Sequence, residues 1–363
     1  VEAVNDFVLL ETDRTETPWT KCALRRADRR VLVVGKNAVD GAVGEAVTAA
    51  AKRQSEADLW LAVAHTGDSA QIRGSASLAA HYGANRVLHF RDGAAADIAR
   101  VARLVTGTGT GIVLGGGGAR GFAHIGVYRA LTELGVPVDA VAGASIGGIL
   151  GAGIALGLAP EEVHKQVIER VSKVLDSTIP VVSMVKGERI TREIEKVFSG
   201  IDIEDLSLPF LCVSTNLTSS RQTVHTSGSV TTATRAGLAI PGVIPPVPSD
   251  GELLVDGSVL DNLPIGPLHA TGLVNTIIAI DVAPQLGPRA RADFGLSVSG
   301  WRALFSKFGR RKKVYPGISS VLLRSMIVGS MEQRDHYLEA GLVDLYLAPD
   351  LRGIALLDFD QVE

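Results

Sequence analysis

The sequence predicts an α/β fold around a parallel-rich sheet, and three observations carry that prediction. Short apolar runs alternate with helical patterns along most of the chain, the rhythm of βα units. Glycine supplies 40 of 363 residues. Two glycine-rich turns, Gly115–Gly121 and Gly143–Gly147, each follow an apolar run and open a helix.

Taken in order, residues 1–30 are polar and irregular. Val31–Gly35 reads as a buried strand, Ala42–Arg53 as a helix, Leu59–His65 as a strand, Ser75–Tyr82 as a helix, Arg86–Phe90 as a strand and Ala94–Val105 as a helix. Gly107–Gly111 reads as a flexible link, so residues 1–107 are expected to form a small α/β unit and 108–363 a second, larger one. In the second unit, strands are expected at Ile112–Leu114, Val138–Ala142, Phe210–Asn216, Leu253–Asp256 and Thr276–Val282. Helices are expected at Gly121–Leu134, Glu161–Leu175, Ile190–Phe198 and Val230–Ala236.

Composition narrows the function. Net charge is −3, the pI is about 6.3 and aromatics are 5%, so neither a global basic surface nor a set of base-stacking platforms points to nucleic acid. Cys22 and Cys212 are too far apart in sequence for a metal knuckle and fit free thiols in a reducing compartment. The chain begins at Val1 without a signal pattern, and regulatory or targeting segments preceding it are an open expectation. Asp139 to Glu161 encloses an uncharged run long enough to span a bilayer. Its six glycines and its strand-like start favour a buried strand–turn–helix.

Two motifs carry the chemistry. In Gly115-Gly-Gly-Gly-Ala-Arg-Gly121 the missing side chains let several backbone N–H groups converge on one anion, and the following helix N-terminus adds positive potential. Such a loop suits a phosphate or the oxyanion of a tetrahedral intermediate. The loop also satisfies the dinucleotide pattern GxGxxG, which asks for an acidic residue at the end of the next strand. Asp139 stands at that strand's start instead. Gly143-Ala-Ser145-Ile-Gly147 fits GxSxG at a strand-to-helix turn, with the two glycines permitting a sharp elbow that presents the Ser145 hydroxyl. With the anion loop one βα unit upstream, Ser145 becomes a candidate nucleophile.

A serine needs a base within hydrogen-bond reach. Chain order alone permits the triads Asp256…His269 and Asp281…His336, with His124 placed as a packing residue after the glycine loop. Leu253-Leu-Val-Asp256-Gly257 is a strand ending in an aspartate before a glycine turn, the edge where α/β sheets place ligands.

GGGGARGFAHIGV, GASIG and the Asp256-Gly257 turn together resemble the three signatures of patatin-like phospholipases, closest to the neuropathy target esterase branch. The resemblance continues through Val213–Leu217, Arg235–Pro246 and Asp256–Pro264 and covers roughly residues 110–350; the stretch before the glycine loop is also similar. It implies a three-layer α/β/α hydrolase domain. It further implies a Ser145–Asp256 dyad in place of a triad, backbone N–H groups of Gly116, Gly117 and Gly118 as oxyanion hole, and Arg120 and Gly121 as loop support. Neither metal nor cofactor is implied. The expected activity is hydrolysis of fatty-acyl esters of lysophospholipids or phospholipids through an acyl-enzyme. A catalytically silent lipid- or nucleotide-binding module using the same loop is the alternative of another class. Ser258 stands where the family carries Gly or Ala, a change that adds a hydrogen-bonding group beside the base.

An enzyme acting on acyl chains must reach an interface. The stretch Trp301–Lys313 holds six Lys or Arg and no acid, and Trp301, Leu304, Phe305 and Phe308 share one helical face. Trp301, Phe305, Phe308, Arg310, Arg311, Lys312 and Lys313 are therefore the expected docking residues on an anionic membrane. The expected location is the cytoplasm or the cytoplasmic face of a membrane, and the oligomeric state is open.

Overall fold

The computed structural model describes residues 5–13, 15, 17–35, 59–66, 72–171, 176–283, 297–301, 318–354 and 358. The helix expected at Ala42–Arg53 lies outside them.

The described part of residues 1–30 is less irregular than expected. Thr17 caps α1 (Pro18–Arg26), its hydroxyl accepting the Thr20 N–H at 3.1 Å, and Pro18 sits in the first turn, where it has no helical hydrogen bond to lose. Strands β1 (Arg30–Gly35), β2 (Leu59–His65) and β3 (Arg86–Arg91) pair in parallel in that order. Helix α2 (Ser75–Tyr82) precedes β3, and α3 (Ala95–Thr106) follows it. Trp60, Leu88 and Leu104 from this unit are buried in one core with Val113, Ala140 and Leu268 of the larger one.

The larger sheet begins at β4 (Gly109–Leu114), so Gly109–Gly111 is strand and not link. These glycines are wanted for close packing: a Cβ on Gly109 would lie 2.9 Å from the Leu273 carbonyl, and one on Gly111 2.7 Å from a Leu268 methyl. A short 3-10 turn, Gly118–Phe122, leads into α4 (Ala123–Glu133), and β5 (Ala140–Ala144) turns directly into α5 (Ile146–Ala155). The uncharged 139–161 run is thus the strand–turn–helix that its glycines predict. Among the described residues no helix is long and apolar enough to cross a membrane.

Next come α6 (Pro160–Val171), α7 (Glu188–Phe198), β6 (Phe210–Asn216), β7 (Arg221–His225), α8 (Val230–Gly237), β8 (Val247–Ser249) and β9 (Glu252–Asp256). The described chain closes with α9 (Ile265–His269), β10 (Val274–Ile280), α10 (Ile318–Glu339) and β11 (Leu345–Leu347). The sheet runs β11-β10-β4-β5-β6-β9-β8, with β7 also on β6. Its β11-to-β6 portion is parallel, and β7, β8 and β9 add antiparallel pairings.

The edges of β6 decide where the site forms. β7 pairs along one edge from Cys212 to Asn216. The other edge is shared: β5 runs parallel to it up to Ala144 opposite Val213, and β9 runs antiparallel to it, ending with Asp256 opposite Ser214. The two strands therefore point their C-terminal ends at each other across one step of register. The residue after Ala144 must meet Asp256.

Candidate active site

That residue is Ser145. Its backbone has φ 52°, a left-handed conformation that a non-glycine residue adopts only when its surroundings hold it there. The two flanking glycines allow this elbow to form. A Cβ on Gly143 would sit 2.3 Å from the Gly147 carbonyl oxygen, and one on Gly147 2.1 Å from that of Leu114. The Ser145 hydroxyl donates to Asp256 Oδ2 at 2.7 Å, and both residues are buried.

Asp256 Oδ1 accepts the Ser258 N–H at 2.8 Å. Burial pushes the Asp256 carboxyl above the ordinary carboxylate range, while hydrogen bonds from Ser145, from the Ser258 N–H and from the Ser258 hydroxyl hold back part of the rise. Gly257 lets the chain turn tightly against β6, since a Cβ there would lie 2.4 Å from the Val213 carbonyl oxygen.

Beside this pair lies the glycine loop. Asn262 clamps Gly116 from both sides: its carbonyl accepts the Gly116 N–H at 3.1 Å, and its Nδ2 donates to the Gly116 carbonyl at 3.0 Å. Gly116 is therefore not a spare donor, contrary to the expectation that it joins Gly117 and Gly118. Its lack of a side chain matters instead, because a Cβ would stand 2.5 Å from the Ser258 hydroxyl and 3.0 Å from Ser145 Cβ. The N–H groups of Gly117 and Gly118 have no backbone acceptor among the described residues. Gly118 has φ 56°, which turns the loop into the 3-10 segment. Gly121 makes room for the residue after the serine, since a Cβ on it would lie 2.4 Å from the Ile146 side chain. Arg120 reaches away from the serine, its Nε donating to the Ile354 carbonyl at 2.7 Å.

No histidine among the described residues hydrogen-bonds Ser145 or Asp256. His124 Nε2 bonds the Gly115 carbonyl at 2.8 Å, and burial lowers its pKa to about 4, so it braces the loop as a neutral ring. Asp281 is held by Arg334 and by the Tyr346 hydroxyl, not by His336. Asp139, the acid the dinucleotide pattern would require, accepts two hydrogen bonds from Arg103 at 2.9 and 2.7 Å and one from the Thr110 N–H. It is a bracket between α3 and the sheet.

An almost wholly apolar cavity opens from Ser145 and Gly118. Ile146, Ile149, Leu150 and Gly153 line it from one face of α5, two turns or about 10 Å deep. Ile190, Ile194 and Phe198 line it from α7, whose apolar spacing was legible in sequence although its role was not. Arg170 and Glu193, paired at 3.2 Å, are the charged groups in its lining. Asn262 and this cavity were the features without an assigned role at the level of sequence. Asn262 left one trace, an amide placed six residues after Asp256 and between Asp261 and Leu263. Of the expected docking residues only Trp301 is described, and it is exposed; Phe305, Phe308, Arg310, Arg311, Lys312 and Lys313 lie outside the described residues.

A strained serine elbow, a buried carboxylate, a glycine loop with spare N–H groups and an apolar cavity together make a candidate hydrolase site. Residues 112–269 match the family model of patatin-like phospholipase, and the chain carries a patatin-like phospholipase domain. The whole chain aligns at 33% identity with 29% of patatin-like phospholipase domain-containing protein 6 of Mus musculus. At 41% identity, 58% of it aligns with 13% of lysophospholipase NTE1 of Cryptococcus neoformans. At 34% identity, 77% of it aligns with 20% of neuropathy target esterase sws of Drosophila melanogaster. The chain thus spans under a third of the length of these curated relatives.

Proposed function

We propose that this domain hydrolyses fatty-acyl esters of lysophospholipids or phospholipids, with Ser145 as nucleophile and Asp256 as its base. The observation that carries the reading is the 2.7 Å hydrogen bond between them at the mouth of an apolar cavity. The acyl chain enters the cavity along α5 and sets the ester carbonyl against Ser145. As Ser145 Oγ attacks, its proton passes to Asp256 Oδ2. Negative charge gathers on the former carbonyl oxygen, where the Gly117 and Gly118 N–H groups receive it. Losing one such donor typically costs about 3 kcal/mol of barrier. The carbonyl re-forms, the C–O bond to the alcohol breaks, and the alcohol leaves with the proton. Water attacks the acyl-enzyme next and Asp256 takes its proton; the bond from the acyl carbon to Ser145 Oγ then breaks, Asp256 returns the proton to Oγ, and the fatty acid leaves.

The names of the relatives support a lipid substrate, one of them being a lysophospholipase. The test is hydrolysis of a lysophosphatidylcholine and of a chromogenic acyl ester by the wild type, Ser145→Ala, Asp256→Asn and His269→Ala. The expected outcome is activity in the wild type and His269→Ala alone. Loss in His269→Ala with the fold intact would point to a triad. An inactive wild type would favour a silent lipid-binding module.

A further inference from the structure

The loop between α6 and α7 carries an exposed apolar tip. Ile179 is 80% exposed, Val181 85%, Val182 68% and Met184 43%, with Pro180 exposed among them. Five consecutive or near-consecutive apolar residues facing solvent are costly unless something covers them. The loop is nonetheless firmly built. The Thr178 N–H bonds the Met184 carbonyl at 3.0 Å, the Lys186 N–H bonds the Asp176 carbonyl at 2.8 Å, and Asp176 caps the turn into α7 through the Gly187 N–H at 2.9 Å. Ser183 and Val185 point inward and are buried.

The loop also stands beside the cavity. The Met184 and Val185 N–H groups bond the carbonyls of Gly242 and Val243, and Val243 is part of the cavity wall. From Val185 the chain runs straight into α7, whose Ile190 and Ile194 line the cavity. This is the active-site end of α7. Arg235, near the C-terminal end of α8, bonds Thr191 at 3.2 Å and the Pro245 carbonyl at 3.1 Å, and the Ala239 carbonyl just beyond α8 accepts the Asp256 N–H at 3.0 Å.

We propose that the Ile179–Met184 tip is an interfacial anchor that inserts into a lipid surface and sets the cavity mouth against it. The occupant is a lipid surface because the tip is tied to the cavity wall, through Met184 to Gly242 and Val185 to Val243, so the surface that covers the tip also stands beside the cavity read here as taking the acyl chain. Charge points the same way. Asp176, Lys186, Glu188 and Arg189 cancel within 176–189, so attraction to anionic headgroups is not the driving force, unlike in the basic Trp301–Lys313 stretch. Insertion here is hydrophobic and is expected on zwitterionic lipid. The inference rests on the hydrolase reading for its biological sense, but partitioning onto lipid does not depend on turnover.

The test is sedimentation of the full chain with phosphatidylcholine vesicles at low and high salt, alongside Val181→Asp and the pair Ile179→Ser, Val182→Ser. Wild type is expected to partition onto the vesicles at both salt concentrations. Each variant should lose about tenfold or more in affinity, since one buried valine side chain accounts for that much. Hydrolysis of a water-soluble acetyl ester should be unchanged in all of them. The fluorescence contributed by Val181→Trp should lie at long wavelength in buffer and shift to the blue on vesicles. Three results would overturn the proposal: equal vesicle binding by Val181→Asp, a blue Val181→Trp signal before lipid is added, or a wild-type dimer that Val181→Asp dissociates. Failure of the hydrolase reading looks different, with vesicle binding intact and no acetyl ester hydrolysed.

Discussion

Two helical glycines look alike in sequence and differ in surroundings, and the elbow depends on one of them. Gly147, in the first turn of α5, would place a Cβ 2.1 Å from the Leu114 carbonyl oxygen and 2.9 Å from that of Gly115. A carbon and a carbonyl oxygen ordinarily stay about 3.3 Å apart or more, so Gly147→Ala must drive α5 and the β4 end apart by about 1 Å. Overpacking of this kind costs about 1–3 kcal/mol. The displaced parts are Ser145 on one side and the glycine loop on the other, and a misplacement of about 1 Å in a catalytic constellation costs on the order of 100-fold in rate. Gly126, in the interior of α4, has nothing within 4 Å of its missing Cβ. There Gly126→Ala should stabilise by about 0.5–1 kcal/mol through helix propensity. Urea unfolding and hydrolysis of a chromogenic acyl ester measure both variants. Expected are a destabilised Gly147→Ala with activity down about 100-fold, and a stabilised Gly126→Ala with full activity. Near wild-type turnover by Gly147→Ala would show that the tight β4–α5 approach does not position the serine.

Asp256 acts as base only when ionised and its pKa is raised, so kcat/KM should fall on the acid side at a pH above the ordinary carboxylate range. Ser258→Ala removes a stabiliser of the carboxylate and should move that limb further up; an unmoved limb in the pH profile would show that the Ser258 hydroxyl does not act on the base. The same sign bears on stability. A carboxyl whose folded pKa is raised favours the fold most while protonated, and that advantage is lost as pH rises through the folded value, so Asp256→Asn should melt no lower than wild type at neutral pH while losing turnover. Asp139→Ala should lower the unfolding free energy by about 2 kcal/mol, less than a fully buried pair because Arg103 is 33% exposed, and an effect near zero in urea would remove its role as bracket. Gly153→Leu fills the cavity about two helical turns below the serine and should suppress turnover of palmitoyl esters on the order of 100-fold while sparing acetyl esters; equal loss on both would place the acyl chain elsewhere.

Much of this was legible in the sequence because it resides in local chemistry. A GxSxG turn between an apolar strand and a helix predicts an elbow wherever it falls, and β4, β5 and β6 announce themselves as short apolar runs. Asp256 was legible as an aspartate ending a strand, yet nothing local says that β9 runs antiparallel and meets β5 end to end. That pairing is a tertiary fact. For the same reason Gly116 read as an oxyanion donor, since its engagement with Asn262 spans 146 residues. Gly109–Gly111 read as a link because glycine weakens strand propensity, whereas packing against Leu268 and Leu273 decides it. The apolar cavity was least visible, being assembled from faces of α5, α6 and α7 that separately look like ordinary core.

The most direct test of the central claim is the rate at which a fluorophosphonate probe labels the protein, with the modified residue located by mass spectrometry. A Ser145–Asp256 dyad predicts one adduct, on Ser145, formed rapidly by the wild type and by His124→Gln and His269→Ala, and at least about 100-fold more slowly by Asp256→Asn. An adduct on another serine, or labelling of Ser145 that survives Asp256→Asn at the wild-type rate, would contradict it.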